Sequence, residues 1–139
     1  MSRRSALVLT AQDRMRLGTL LTDRYVKTAE SREHLHALES DLEQANAVDP
    51  HEVPEDLVTM NSTVEIRDVK SGETETYTLV YPHRADPLQD RISVLAPIGR
   101  AILGRRTGDV VRVAVPAGWR VIRIEAIPFQ PEREGALDL

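Results

Sequence analysis

Four histidines, His34, His36, His51 and His83, are all the imidazole in a 139-residue chain that has no cysteine. Imidazole and thiolate dominate structural and catalytic transition-metal sites, so the spacing of these four decides the matter. His34 and His36 stand two apart in a helical pattern and point to different sides; His51 and His83 fall in proline-rich turn stretches. No metal site and no catalytic thiol follow. The chain also lacks a glycine-rich phosphate loop, a G-x-S-x-G elbow and an H-E-x-x-H pair, so no catalytic residue, cofactor or small-molecule substrate is expected. It reads as a non-enzyme.

Charge is distributed more tellingly than its total. The net charge of −4 argues against a generic duplex-binding protein, which normally carries a clear basic excess. Between Arg100 and Arg123, however, Arg100, Arg105, Arg106, Arg112, Arg120 and Arg123 face one acid, Asp109. That strip is either a solvated strand face or a surface for an acidic partner. Trp119, the single tryptophan, stands after a turn, where it either caps the sheet, the preferred reading, or serves as an exposed contact anchor. Leu95-Ala96-Pro97-Ile98 is apolar at a strand-to-helix junction and is either core or a projecting binding edge.

The elements that position these residues are read from periodicity. Thr10, with Asp13 three residues on, starts a helix near Ala11 that runs to about Lys27, with Leu17, Leu20, Leu21 and Tyr25 on one face. A second helix is expected from about Ala29 to Ala47, where Leu35, Leu38, Leu42 and Ala45 form a seam; the pair makes a short antiparallel hairpin about 25 Å long. Asp49-Pro50 and Val53-Pro54 then break the pattern. From Val58 the period is two: Met60, Val64 and Ile66 alternate with Asn61, Glu65 and Arg67, and Ser71-Gly72 turns into Thr74–Tyr81. A third strand lies at Arg91–Leu95. Pro97 opens a short helix with Ile98, Ala101 and Ile102 on one face and Gly104 as its stop. Val111, Val113 and Val115, then Ile122, Ile124 and Ala126, complete the sheet.

The expected class is α+β, with a helical hairpin (1–49), a linker (50–57), an antiparallel sheet domain with one short helix (58–131) and a flexible tail (132–139). With 41% hydrophobic residues the chain can bury a core, and a monomer is expected. No apolar run approaches the roughly 20 residues of a membrane span. The absence of cysteine fits a cytoplasmic setting.

Several stretches together resemble the C-terminal domain of the bacterial Gre transcript-cleavage factors. They are Val58-Thr59-Met60-Asn61-Ser62, Thr78-Leu79-Val80-Tyr81-Pro82, Ile92-Ser93-Val94, Ala96-Pro97-Ile98-Gly99, Ala101-Ile102-Leu103-Gly104 and Gly108-Asp109. The nearer match in that superfamily is its Rnk branch, the regulators of nucleoside diphosphate kinase. The resemblance implies an FKBP-like sheet domain that docks on RNA polymerase at the rim of its secondary channel. It also implies that Ser93, Ala96, Pro97 and Ile98 form the docking edge, with Ala96 where the cleavage factors usually have serine. In those factors two close acids at the hairpin tip hold a catalytic magnesium ion. Here the tip has Asp23, Glu30 and Glu33 against Arg24, Lys27 and Arg32, a sum of zero.

The expected function is therefore a non-enzymatic transcription regulator that binds RNA polymerase and competes with Gre factors without stimulating cleavage. An active cleavage factor and a regulator acting directly on nucleoside diphosphate kinase are the alternatives. A prolyl isomerase, suggested by the FKBP-like fold, lacks support because the aromatic residues are few.

Overall fold

A computed structural model describes residues 8–22, 39–43 and 45–136 of the chain. The class is α+β. Its main body is a five-stranded sheet of β3 (Thr63–Asp68), β4 (Thr74–Val80), β5 (Arg91–Ser93), β6 (Val110–Val115) and β7 (Gly118–Phe129), ordered β5-β4-β3-β7-β6. Before it come β1 (Val8–Thr10), α1 (Ala11–Thr22) and β2 (Asn46–Val48). A short helix α2 (Pro97–Ile102) lies between β5 and β6, and α3 (Pro131–Glu134) follows β7.

Alternation builds the sheet as expected. Val64 and Ile66 on β3, Val111 and Val113 on β6, and Ile122 and Ile124 on β7 are buried on one face, where Ile102 of α2 and Leu103 join them. Register shifts between β3 and β7 around Glu65 change the sequel: Ile127, not Ala126, is the next deeply buried residue. An irregularity in one strand re-aims every side chain beyond it.

The sheet is not wholly antiparallel. β5 pairs parallel with β4, Thr78 opposite Arg91 and Val80 opposite Ser93. The intervening chain makes this possible with two 3₁₀ turns, Pro82–Arg84 and Pro87–Gln89, that carry it back to the start of β4's last residues; Asp86 caps the second through Leu88 N–H at 3.1 Å.

At the N-terminus Thr10 does cap α1, its Oγ1 accepting Asp13 N–H at 2.9 Å. Residues 39–43 are helical, but the expected second helix does not reach Ala47: Asn46–Val48 is a strand, parallel to β1 with Leu9 opposite Ala47. Strand pairing with β1 satisfies backbone groups that a continuing helix would otherwise have used. Leu9, Leu17 and Leu42 enter the same core as the sheet.

The stretch expected as linker is tied down. Asp49 caps a 3₁₀ turn at Pro50–Glu52, and the Nε2 of buried Gln130 donates to the carbonyls of Pro54 and Leu57 at 2.8 and 2.7 Å. The tail expected from residue 132 begins instead inside α3, which has Pro131 at its start and Gly135 (φ 76) at its end. Arg133 holds it to the end of β7 by donating to the carbonyls of Ile127 and Pro128.

Candidate functional site

The β5–α2 junction presents Ser93, Ala96, Pro97 and Ile98, all partly exposed, while Val94 and Leu95 between them are buried. Two local bonds set the bend. Ser93 Oγ accepts Leu95 N–H at 3.0 Å, and the Ser93 carbonyl accepts Ala96 N–H at 3.0 Å. Pro97 occupies the first helical position, and Ala96, in the N-cap position, offers no side-chain bond to α2. Gly99 explains why the junction is so tight. A Cβ added there would lie 2.0 Å from the Ser93 carbonyl oxygen, so the helix can seat against β5 only with glycine at this position. The four residues are thus brought together on one bend, half in the core and half out.

The tip residues Asp23, Glu30 and Glu33 lie outside the described residues, as do His34 and His36. His51 and His83 are exposed on two separate 3₁₀ turns. Among the described residues no group of three His, Cys, Asp or Glu side chains could hold a metal ion.

The arginine strip is far less positive in three dimensions than in one. Arg120 bridges Asp68 at 3.1 Å and Glu75 at 2.7 Å, Arg106 grips Asp56 at 2.8 Å, and Arg100 faces Asp41 at 3.6 Å. Arg123 approaches Glu125 at 3.9 Å. The carboxyls feel it: Asp56 is held below its ordinary range chiefly by Arg106. Glu75 is lowered first by the Tyr77 hydroxyl and then by Arg120. Arg112 differs, its guanidinium lying 4.1 Å over the ring of Trp119, which is 62% exposed. Trp119 therefore does not cap the sheet. It sits opposite Ala114 on the outer face of the β6–β7 hairpin, where alternation directs it to solvent.

A second constellation was not foreseen. Asp13, only 1% exposed, directs its carboxylate at the sheet domain: Oδ2 accepts Met60 N–H at 3.1 Å, and Oδ1 meets Tyr81 OH at 3.4 Å and the Arg16 guanidinium at 3.3 Å. Burial pushes its carboxyl up to about 6, opposed by the Met60 bond and reinforced by Glu132. Burial and the neighbouring Asp13 raise the Tyr81 hydroxyl in turn. The receiving segment is a buried turn, in which Thr59 N–H donates to Ser62 Oγ at 3.0 Å and Thr59 Oγ1 donates to Glu132 at 2.6 Å. Thr59–Ser62 thus receives α1 on one side and α3 on the other. Asn61, expected on the outward face of a strand, belongs to this turn with φ 68 and is 6% exposed. Beside it a cleft of about 390 Å³ opens between α1, contributing Met15, Arg16 and Leu20, and Asn61, Tyr81 and Arg84. Asp13 was legible as a capping acid, but no local signal marks where its carboxylate ends.

The family model for the C-terminal domain of the transcription elongation factors GreA and GreB matches residues 53–128, more than half of the chain. The chain belongs to the GreA/GreB family. Among its relatives, the regulator of nucleoside diphosphate kinase of Escherichia coli (strain K12) is 39% identical over 100 residues, 71% of this chain and 74% of that protein. Transcription elongation factor GreA of Nitratidesulfovibrio vulgaris is 33% identical over 137 residues, 95% of this chain and 86% of that protein. A solved GreA/GreB elongation factor from Nitrosomonas europaea superposes with a TM-score of 0.74 at 35% identity, covering 91% of this chain and 100% of that one. The GreA/GreB match encloses the β5–α2 bend and the Thr59–Ser62 turn, while α1 with Asp13 precedes it.

Proposed function

We propose that this Gre-family chain is a non-enzymatic regulator that binds RNA polymerase near its secondary channel and competes there with cleavage factors without stimulating cleavage. The observation that carries the reading is the bend at Ser93–Ile98. It offers a half-exposed Ala-Pro-Ile edge on a helix start that Gly99 locks against β5. A preorganised apolar edge of this kind loses little freedom on docking. The sheet domain is taken as FKBP-like and the segment from α1 to residues 39–43 as a helical hairpin. The composition of its tip supports non-cleavage: Asp23, Glu30 and Glu33 interleave with Arg24, Lys27 and Arg32, and a magnesium ion needs converging carboxylates without competing cations.

The test is binding of the purified chain to core RNA polymerase with a Gre factor as competitor and transcript cleavage read in the same tubes. Competitive binding without cleavage is expected. Shortened transcripts that vanish with tip-acid substitutions would make the chain a cleavage factor instead. The relative named regulator of nucleoside diphosphate kinase favours one second reading, direct contact with that kinase. Co-purification of the two from extract, absent for polymerase, would select it.

A further inference from the structure

The cleft between α1 and the Thr59–Ser62 turn is lined by none of the four residues of the proposed docking edge, and its chemistry is specific. Asn61 is nearly buried, yet among the described residues no hydrogen bond reaches its carboxamide; only its backbone N–H is used, donating to the Leu79 carbonyl at 2.6 Å. Its carboxamide is not among the buried unpaired groups: it opens to the cleft, where a ligand can reach it. Its left-handed backbone, φ 68, holds it in the cleft wall. Beside it the Arg16 guanidinium lies over the Tyr81 ring, 5.5 Å from the centroid, giving a layered planar wall. Met15 and Leu20 supply apolar surface from α1, and Met15 is 68% exposed. At the rim stands Arg84, exposed and without an ion pair among the described residues.

We propose that this cleft binds a small ligand joining a planar ring with amide-type donor and acceptor edges to an anionic group, the chemistry of a nucleotide. The ring lies against Met15, Leu20 and the Arg16 plane, its edge pairs with the Asn61 carboxamide, and the anion reaches Arg84. A carboxamide can donate and accept at once, the pairing that reads a base edge. A bare anion would leave Met15 and Leu20 uncovered and Asn61 unmatched; a purely apolar ligand would bury the carboxamide against nothing. The volume of about 390 Å³ falls in the range of small-molecule sites.

The experiment is calorimetric titration of the full chain with each of the four ribonucleoside 5′-monophosphates, and separately with ribose 5-phosphate and inorganic phosphate. Polymerase is absent, so the result is independent of the docking proposal. Asn61→Gly retains the left-handed backbone and removes the carboxamide; Arg84→Ala removes the rim cation from an exposed turn. Saturable one-to-one binding of at least one nucleotide is expected, weakened about tenfold or more by each variant, with ribose 5-phosphate and inorganic phosphate far weaker. No saturation by any nucleotide at millimolar concentration, equal affinity for phosphate, or unchanged binding in Arg84→Ala would overturn it. The Arg84 variant keeps the test decisive even where Asn61→Gly fails to fold.

Discussion

Gly99 shows how much one missing methyl group can decide. Its absent Cβ leaves room for the Ser93 carbonyl, which would otherwise be 2.0 Å away, with Leu79 Cδ1 at 3.2 Å behind it. Backbone cannot yield as a flexible side chain can, so Gly99→Ala must shift α2 off the end of β5. Overpacking a tight site costs up to about 3 kcal/mol, and the upper end applies here. Urea unfolding should show a lower midpoint with an unchanged slope, and polymerase binding should fall with it. An unchanged midpoint would mean that α2 slides without penalty. At this scale the sequence was readable where chemistry is local: Thr10 as cap, Pro97 as helix start. Asn61 was misread because its alternation with Met60 and Val64 fits a strand, while it stands in a turn with φ 68 and donates its N–H to the Leu79 carbonyl, eighteen residues away. The arginines misled for the same reason, since Asp56, Asp68 and Glu75 lie some fifty residues away from those they neutralise.

Among elements, the junction of β5 and α2 separates packing from recognition. Val94 and Leu95 hold it in the core, and Pro97 and Ile98 are half-exposed. Pro97→Ala with Ile98→Asp alters the outer half only. Helical circular dichroism should be unchanged, and polymerase affinity should fall at least tenfold, about 1.4 kcal/mol. Retained affinity would move the docking surface elsewhere, the arginine-flanked outer face of β6 and β7 being the next to test. The long alternating strands β3, β6 and β7 were legible because period two persists over six residues or more. β1 and β2 were not: each has three residues, and the two are separated by residues 11–45 of the sequence. The parallel placement of β5 depends on the path of the Pro82–Asp90 loop, which no periodicity encodes. α3 had its signals in plain view, Pro131 before it and Gly135 after it, masked by the acidic composition of the tail.

At the scale of the molecule, Asp13 is where the N-terminal helix meets the sheet domain, and it does so at a cost that depends on pH. Its carboxylate is surrounded by Met60 N–H, Tyr81 OH and Arg16, which favour it, and by burial and Glu132, which oppose it. Opposition wins: the folded-state value of about 6 lies above the ordinary 3.8. The folded protein therefore takes up a proton more readily than the unfolded chain, so this group's stabilising contribution is full below about pH 3.8 and is lost as pH rises through about 6. The shift corresponds to something on the order of 3 kcal/mol. Asp13→Asn keeps an oxygen for Met60 N–H and cannot ionise. Relative to that variant, the wild-type chain should lose stability on the order of 2 to 3 kcal/mol between pH 4 and pH 7, read from urea midpoints at the two ends. Glu132→Gln should move the wild-type transition to lower pH by removing the opposing charge. Parallel profiles for wild type and Asp13→Asn would show that Asp13 titrates alike in the folded and unfolded chain, with Arg16 and Met60 offsetting its burial, and the joint between α1 and the sheet would then be insensitive to pH over this range.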